Sequence, residues 1–136
     1  MGRVFWIELA AVAIIVDQLT KAVSSSYGLL WLNTQTPILS SLTVKNTQLM
    51  GLILVLLLTV GVWRAQSKAH KIGLALMLGG GVSNWLDIVA TGGIRDFLIK
   101  SSYGVNLADI FIIAGAVIII IRLVLGVLHY KYNQPI

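Results

Sequence analysis

The chain of 136 residues is 57% hydrophobic and only 11% charged, with no cysteine and a formal charge of +5. A soluble domain carries roughly a quarter charged residues, so a chain this short cannot hide its apolar surface from water, and lipid is the expected solvent. The lack of cysteine excludes a disulfide framework and thiolate metal sites, and the basic excess sits at the ends of apolar runs, where it reads as a topology signal and not as a nucleic-acid footprint.

A membrane-spanning helix needs about 20 mostly apolar residues, and four stretches meet that need. The first covers residues 4–23. Arg3, an apolar run and Ala22-Val23-Ser24 resemble a cleavable leader, but Asp17, Gln18 and Lys21 break the pattern, so a retained helix is expected. A polar segment, 24–45, follows. Within it Leu29-Leu30-Trp31-Leu32 and residues 38–44 are candidate short strands or interfacial pieces. The second helix is expected over 47–63 and the third over 72–90, joined by a link carrying Arg64, Lys68 and Lys71. Residues 91–105 hold Gly92, Gly93 and Gly104, which permit tight turns and close backbone approach. The fourth helix is expected over 106–126.

The expected fold is therefore an all-α integral membrane bundle, a single domain over 1–136, with four transmembrane helices and a small extracytoplasmic loop or β element. Arg3, Arg64, Lys68, Lys71, Arg122 and Lys131 mark one side as cytoplasmic, against Lys21, Lys45, Arg95 and Lys100 on the other. Both termini are then cytoplasmic. Trp6, Trp63, Tyr130 and Tyr132 fall at the inner boundary, and Tyr27, Trp31, Trp85 and Tyr103 near the outer one, as aromatic belts do.

The chemistry lies with the acids. Asp17 near the outer end of the first helix, Asp87 near the outer end of the third, Asp96 just beyond it and Asp109 in the first turn of the fourth all share one depth, together with Asn46, Asn84 and Asn106. Ionised groups are costly in a bilayer, so four aspartates at one level point to a shared polar site. Plainer roles compete for some of them. Asp17 and Lys21 have the spacing and order of a helical ion pair. Asn106-Leu107-Ala108-Asp109 has the form of a capping box, and Asp87 suits a buried structural partner. Glu8, one turn into the first helix, is assigned no chemistry. Two facing carboxylates cannot both ionise easily, and such a pair can hydrolyse a peptide with one member as base and the other as acid. His70 and His129 map to the opposite side, so no Ser-His arrangement competes.

These segments, in order, resemble a known family. Asp17-Gln18-Leu19-Thr20-Lys21 is similar to the DQxxK segment of signal peptidase II, the lipoprotein signal peptidase. Gly79-Gly80-Gly81-Val82-Ser83-Asn84-Trp85-Leu86-Asp87 resembles its Gly-Gly…Asn…Asp segment, Gly93-Ile94-Arg95-Asp96-Phe97 its GxVxDF segment, and Asn106-Leu107-Ala108-Asp109 its NLAD-type segment. The resemblance implies a four-helix membrane enzyme of the bacterial inner membrane with an outer β cradle. It implies an aspartic endopeptidase, needing no cofactor or metal, that cuts the signal peptide of a prolipoprotein before its diacylglyceryl-modified Cys. Asp96 and Asp109 would be the catalytic dyad. Asp17, Asn46, Asn84, Arg95 and Asn106 would line or support the site, and Lys21 and Asp87 would be structural. The implied partners are the prolipoprotein and membrane lipid, with no nucleic acid, and the enzyme would be a monomer.

The chain also departs from the pattern. Val44-Lys45-Asn46-Thr47-Gln48-Leu49-Met50-Gly51 keeps only the Asn of the family's Asn-x-Gly-Ala-Ala-Phe, Ser83 stands for a usual Gly, and Ile88 stands where an Arg follows the Asp. Arg95 is positioned either to supply that guanidinium or to pair with Asp96. Two other functions stay open on sequence: a non-catalytic signal peptidase II-like binding protein, and a small ion carrier using the Asp cluster.

Overall fold

The computed structural model describes residues 5–34, 43–100 and 103–132. Arg3 and residues 38–42 of the second candidate strand lie outside the described residues. In chain order the elements are α1 (Phe5–Ser26), β1 (Trp31–Asn33), α2 (Val44–Arg64), α3 (Lys68–Thr91), β2 (Ile94–Asp96), β3 (Leu98–Lys100), β4 (Tyr103–Val105) and α4 (Leu107–Tyr132).

The helices begin at side-chain caps. Thr43 accepts from the Asn46 N–H at the start of α2, and Ser67 accepts from the His70 N–H at the start of α3. These hydroxyls replace partners that the first turn of a helix lacks. The cap at Thr43 lies ahead of the apolar run, so α2 begins at Val44 and not at 47. α4 runs on to Tyr132, beyond its apolar stretch, with His129 and Lys131 in a last turn that favours positive charge. α3 ends at Gly92, whose φ of 73° turns the chain out of the helix and into β2.

α3 is the central helix, packed against α1, α2 and α4. Small residues allow the helices to meet closely. A Cβ on Gly79 would lie 2.6 Å from the Ala13 Cβ of α1, and one on Gly80 would run into the Ala108 carbonyl of α4. A buried apolar cluster gathers around Trp6, Val62 and Ala75, near the start of α1, the end of α2 and the first half of α3. The distribution is inverted relative to a water-soluble protein. Leu54, Leu57, Ile113 and Ile120 are exposed, while Lys21, Asn106, Asp17, Asp87, Asp96 and Ser83 are the largest fully buried side chains. Among the described residues three helices are long and apolar enough to cross a membrane: Lys45–Arg64, Lys68–Thr91 and Leu107–Tyr132. α1 carries Glu8, Asp17 and Lys21 and is not among them.

The short strands form two antiparallel ribbons. β1 pairs with β2 in the register Trp31↔Asp96 and Asn33↔Ile94, and β3 pairs with β4, Leu98↔Val105. Two-stranded ribbons are marginal alone. Here β1 follows α1 and β2 follows α3, so their pairing ties together the adjacent ends of two packed helices.

Candidate active site

The buried aspartates divide into two groups. Asp17 and Asp87 belong to an ion network. The Lys21 ammonium lies 2.6 Å from Asp17 Oδ2 and 2.7 Å from Asp87 Oδ2, with all three side chains fully buried. Asp87 Oδ1 is also 2.6 Å from Arg95 Nη2 and 3.0 Å from Arg95 Nε, and the Arg95 backbone N–H donates to Asp87 Oδ2 at 3.1 Å. Asp17 accepts further bonds from the Ala108 N–H at 2.9 Å and the Ser83 hydroxyl at 2.7 Å. Gln18 closes the network, donating to Ser83 Oγ and Asp87 Oδ1 and accepting from Arg95 Nη2. Two carboxylates face two cations, so the formal charge of this network is zero.

Asp96 and Asp109 are held differently. Asn106 Nδ2 donates to Asp96 Oδ1 at 2.7 Å, and Asn33 Nδ2 donates to Asp96 Oδ2 at 3.1 Å. Asn84 Nδ2 donates to Asp109 Oδ1 at 2.9 Å, and the Asn106 N–H donates to Asp109 Oδ2 at 3.2 Å. Asn106 therefore touches both acids. Its own Oδ1 accepts from the Asp109 N–H at 3.0 Å, which completes the reciprocal cap at the start of α4. Among the described residues no ion pair reaches Asp96 or Asp109.

Local geometry delivers each acid. In β2 successive side chains point to opposite sides, so Arg95 reaches Asp87 while Asp96 faces the other way, into the amide cradle. Gly104 in β4 leaves room for it: a Cβ there would sit 2.5 Å from Asp96 Cβ and 2.6 Å from Oδ2. Asp96 is 1% exposed, whereas Asp109 is half-buried and reachable from the surface. Burial pushes the Asp96 carboxyl above its ordinary range and the nearby Asp109 charge adds to this, while the Asn33 and Asn106 amides and the more distant Lys21 charge oppose it.

The sequence candidates thus fall into place unequally. Asp17, Lys21, Asn84, Asp87, Arg95, Asp96, Asn106 and Asp109 form one continuous hydrogen-bonded cluster. Among the described residues Arg95 pairs with Asp87 and not with Asp96. Asn46 is exposed in the first turn of α2, with its backbone N–H on Thr43 Oγ1. The structure adds Asn33, Gln18 and Ser83. Gln18 and Ser83 lie within the segments that carry the family resemblance. Asn33 had no local signal, because only the pairing of β1 with β2 brings it to an acid 63 positions away.

Comparison with known proteins places this geometry in context. The sequence profile of the signal peptidase (SPase) II family matches residues 9–125. A lipoprotein signal peptidase of Nitrobacter hamburgensis is 33% identical over 103 residues, covering 68% of this chain and 58% of that protein. One from Beijerinckia indica is 35% identical over 75 residues, covering 52% of this chain and 45% of that protein. One from Caldicellulosiruptor bescii is 30% identical over 132 residues, covering 85% and 87%. The chain therefore spans about half the length of the first two relatives and most of the third. Two bacterial membrane enzymes, solved by the in meso method at 2.3 and 1.9 Å, share the fold with TM-scores of 0.77 and 0.73 at 19% and 20% identity. The first match covers 97% of this chain and 94% of that one, the second 88% and 92%.

Proposed function

The chain belongs to the signal peptidase II family, and from that premise we propose that it is an aspartic endopeptidase that removes signal peptides from lipid-modified prolipoproteins. The observation that carries this reading is the cradle of Asp96 and Asp109: two acids joined through Asn106, gripped by amides, with no ion pair to either among the described residues. Such a pair holds one proton and has both an acid and a base to offer.

In the proposed reaction Asp109, the more accessible acid, is the base, and buried Asp96 keeps the proton. A water between them loses a proton to Asp109 as its oxygen attacks the scissile carbonyl carbon. Asp96 gives its proton to the carbonyl oxygen, and a tetrahedral diol forms. Collapse of the diol breaks the C–N bond. Asp109 then protonates the leaving amine, and one diol hydroxyl returns its proton to Asp96. Every proton is accounted for within the dyad, and each carboxyl ends as it began.

All four helices are proposed to lie in the bacterial inner membrane, as a single domain acting as a monomer. What supports this for α1 is the disposition of its charges. Asp17 and Lys21 are fully buried against α3, while Ile7, Val12, Ile15, Val16, Leu19 and Val23 face outward. The helix is apolar toward lipid and polar only toward its own bundle. Arg64, Lys68 and Lys71 lie at the end of the bundle away from the acids, with Lys131 at the close of α4, so that end and both termini are taken as cytoplasmic. The β ribbons and the dyad then sit at the extracytoplasmic boundary, where the modified Cys of a prolipoprotein would be presented.

The test is cleavage of a diacylglyceryl-modified prolipoprotein by the purified protein in lipid, beside Asp96→Asn and Asp109→Asn, with and without EDTA. Cleavage that either substitution abolishes and EDTA leaves intact is the expected result. Binding without cleavage by the unsubstituted protein would replace this reading with that of a binding-only relative.

A further inference from the structure

We propose that Lys21, which touches neither Asp96 nor Asp109, is a positioning residue that fixes the direction of the amide gripping Asp109. The inference rests on the dyad reading above and concerns how the dyad is kept in working order.

A primary amide has an acceptor on one side and donors on the other, and it can be turned over at almost no cost in shape. If the Asn84 amide turned over, its oxygen would face Asp109 Oδ1, lone pair against lone pair. Whatever meets the far side of Asn84 therefore decides how Asp109 is held. Lys21 meets it. Its ammonium has three donors and no acceptor. Two go to Asp17 and Asp87, and the third goes to Asn84 Oδ1 at 3.1 Å. A group that can only donate requires the Asn84 oxygen, so the Asn84 NH2 is left for Asp109 at 2.9 Å. The same oxygen also accepts from Asn106 Nδ2 at 3.1 Å, and that NH2 continues to Asp96 at 2.7 Å. Asn106 is held independently, because the Asp109 N–H claims its oxygen. Two donors thus hold the Asn84 oxygen, the Lys21 ammonium and the Asn106 NH2, and of the two only Lys21 carries a charge. Lys21 is 0% exposed, so all three of its donors are spent on protein acceptors.

The charged groups facing the dyad are Asp17 and Lys21 from α1, Asp87 from α3 and Arg95 from β2, while Lys45 of α2 is exposed. Removing Lys21 alone would strand Asp17 as well as release Asn84. The informative variant is therefore Lys21→Met with Asp17→Asn, which removes one charge of each sign and leaves the Arg95–Asp87 pair.

The test uses the full chain in lipid and two readouts: the pH profile of prolipoprotein cleavage, and the NMR titration of the Asp96 carboxyl carbon. The second needs no activity. The expected result for the folded double variant is loss of the dyad's shared proton at a pH higher by about one unit, with both limbs of the cleavage profile displaced upward and kcat reduced at unchanged KM. Asn84→Ala, which leaves every ion pair in place, should give the same displacement. Combining the two should add nothing further, because they cut one run of contacts, Lys21 to Asn84 to Asp109, at two points. A folded double variant whose titration is unmoved, or displacements that simply add, would overturn the proposal, since Lys21 would then be inert or acting through its field alone. If the double variant does not fold, Lys21→Met alone and Asn84→Ala decide together: like displacements of the Asp96 titration that do not add when combined support the proposal, and an unmoved titration in either ends it. Failure of the unsubstituted protein to cleave would sink the peptidase reading and leave the titration result standing.

Discussion

Two sets of buried carboxylates lie side by side in this bundle and differ in what neutralises them. Asp17 and Asp87 face Lys21 and Arg95 at ion-pair distance, and every charge has an opposite neighbour. Among the described residues Asp96 and Asp109 meet amide donors and no cation, from Asn33, Asn84 and Asn106. Burial alone therefore does not mark a reactive acid. A carboxylate paired with a cation holds helices together, whereas two acids supplied with dipoles and no counter-charge are the ones proposed to carry the chemistry. The ion pairs also position the proposed dyad. Arg95 pins β2 to α3 one residue before Asp96, so the ion-paired network locates the amide-held one.

The contrast can be broken at the reactive half first. Asp96→Asn and Asp109→Asn should each reduce cleavage by about 10⁴-fold or more, the scale for removing a member of a catalytic constellation, while melting temperature in detergent stays near that of the parent. Equal losses of melting temperature and activity would place these acids with the structural set. At the inert half the order of effects should reverse. Asp87→Leu leaves Lys21 and Arg95 without their shared partner, and removing one member of a buried pair costs about 3–5 kcal/mol. Thermal or denaturant unfolding should register this loss at substrate concentrations where the folded fraction still cuts.

Finer tests probe how tightly Asp96 is held. Gly104→Ala places a methyl against Asp96 Cβ and Oδ2, and displacement of a reacting group by about 1 Å costs on the order of 100-fold in rate. Its melting temperature should change much less than its kcat. Asn33→Leu removes a donor that favours the ionised form of Asp96, so the alkaline limb of the cleavage profile should move to higher pH. Stability follows the same sign. A carboxyl raised by folding contributes stability that is complete below its unfolded value of about 3.9 and is lost as pH rises through the folded value. Unfolding of the parent followed from acid to neutral pH should show that decline, and Asp96→Asn should flatten it. The smallest effect belongs to Asn46→Ala, at an exposed position outside both networks, where stability should stay within about 0.5 kcal/mol and any change in cleavage should appear in KM with the pH profile unmoved.

Much of this was readable along the chain because the signals are local. Apolar runs of spanning length mark α2, α3 and α4, and the i, i+4 spacing of Asp17 and Lys21 and the Asn106–Asp109 cap each lie within one turn of helix. The partner of Arg95 was not. The sequence left it open to Asp87 or Asp96, and it pairs with Asp87 because alternation in β2 turns its side chain away from Asp96. Asn33 carried no mark at all, since its role exists only once β1 pairs with β2. The amino-acid sequence by itself determined that the chain is apolar outward, helical and supplied with acids at one depth. The tertiary structure alone decided that Asn33 reaches Asp96 and that Lys21 reaches Asp87 and Asn84, because these contacts of a few ångströms join segments more than sixty residues apart.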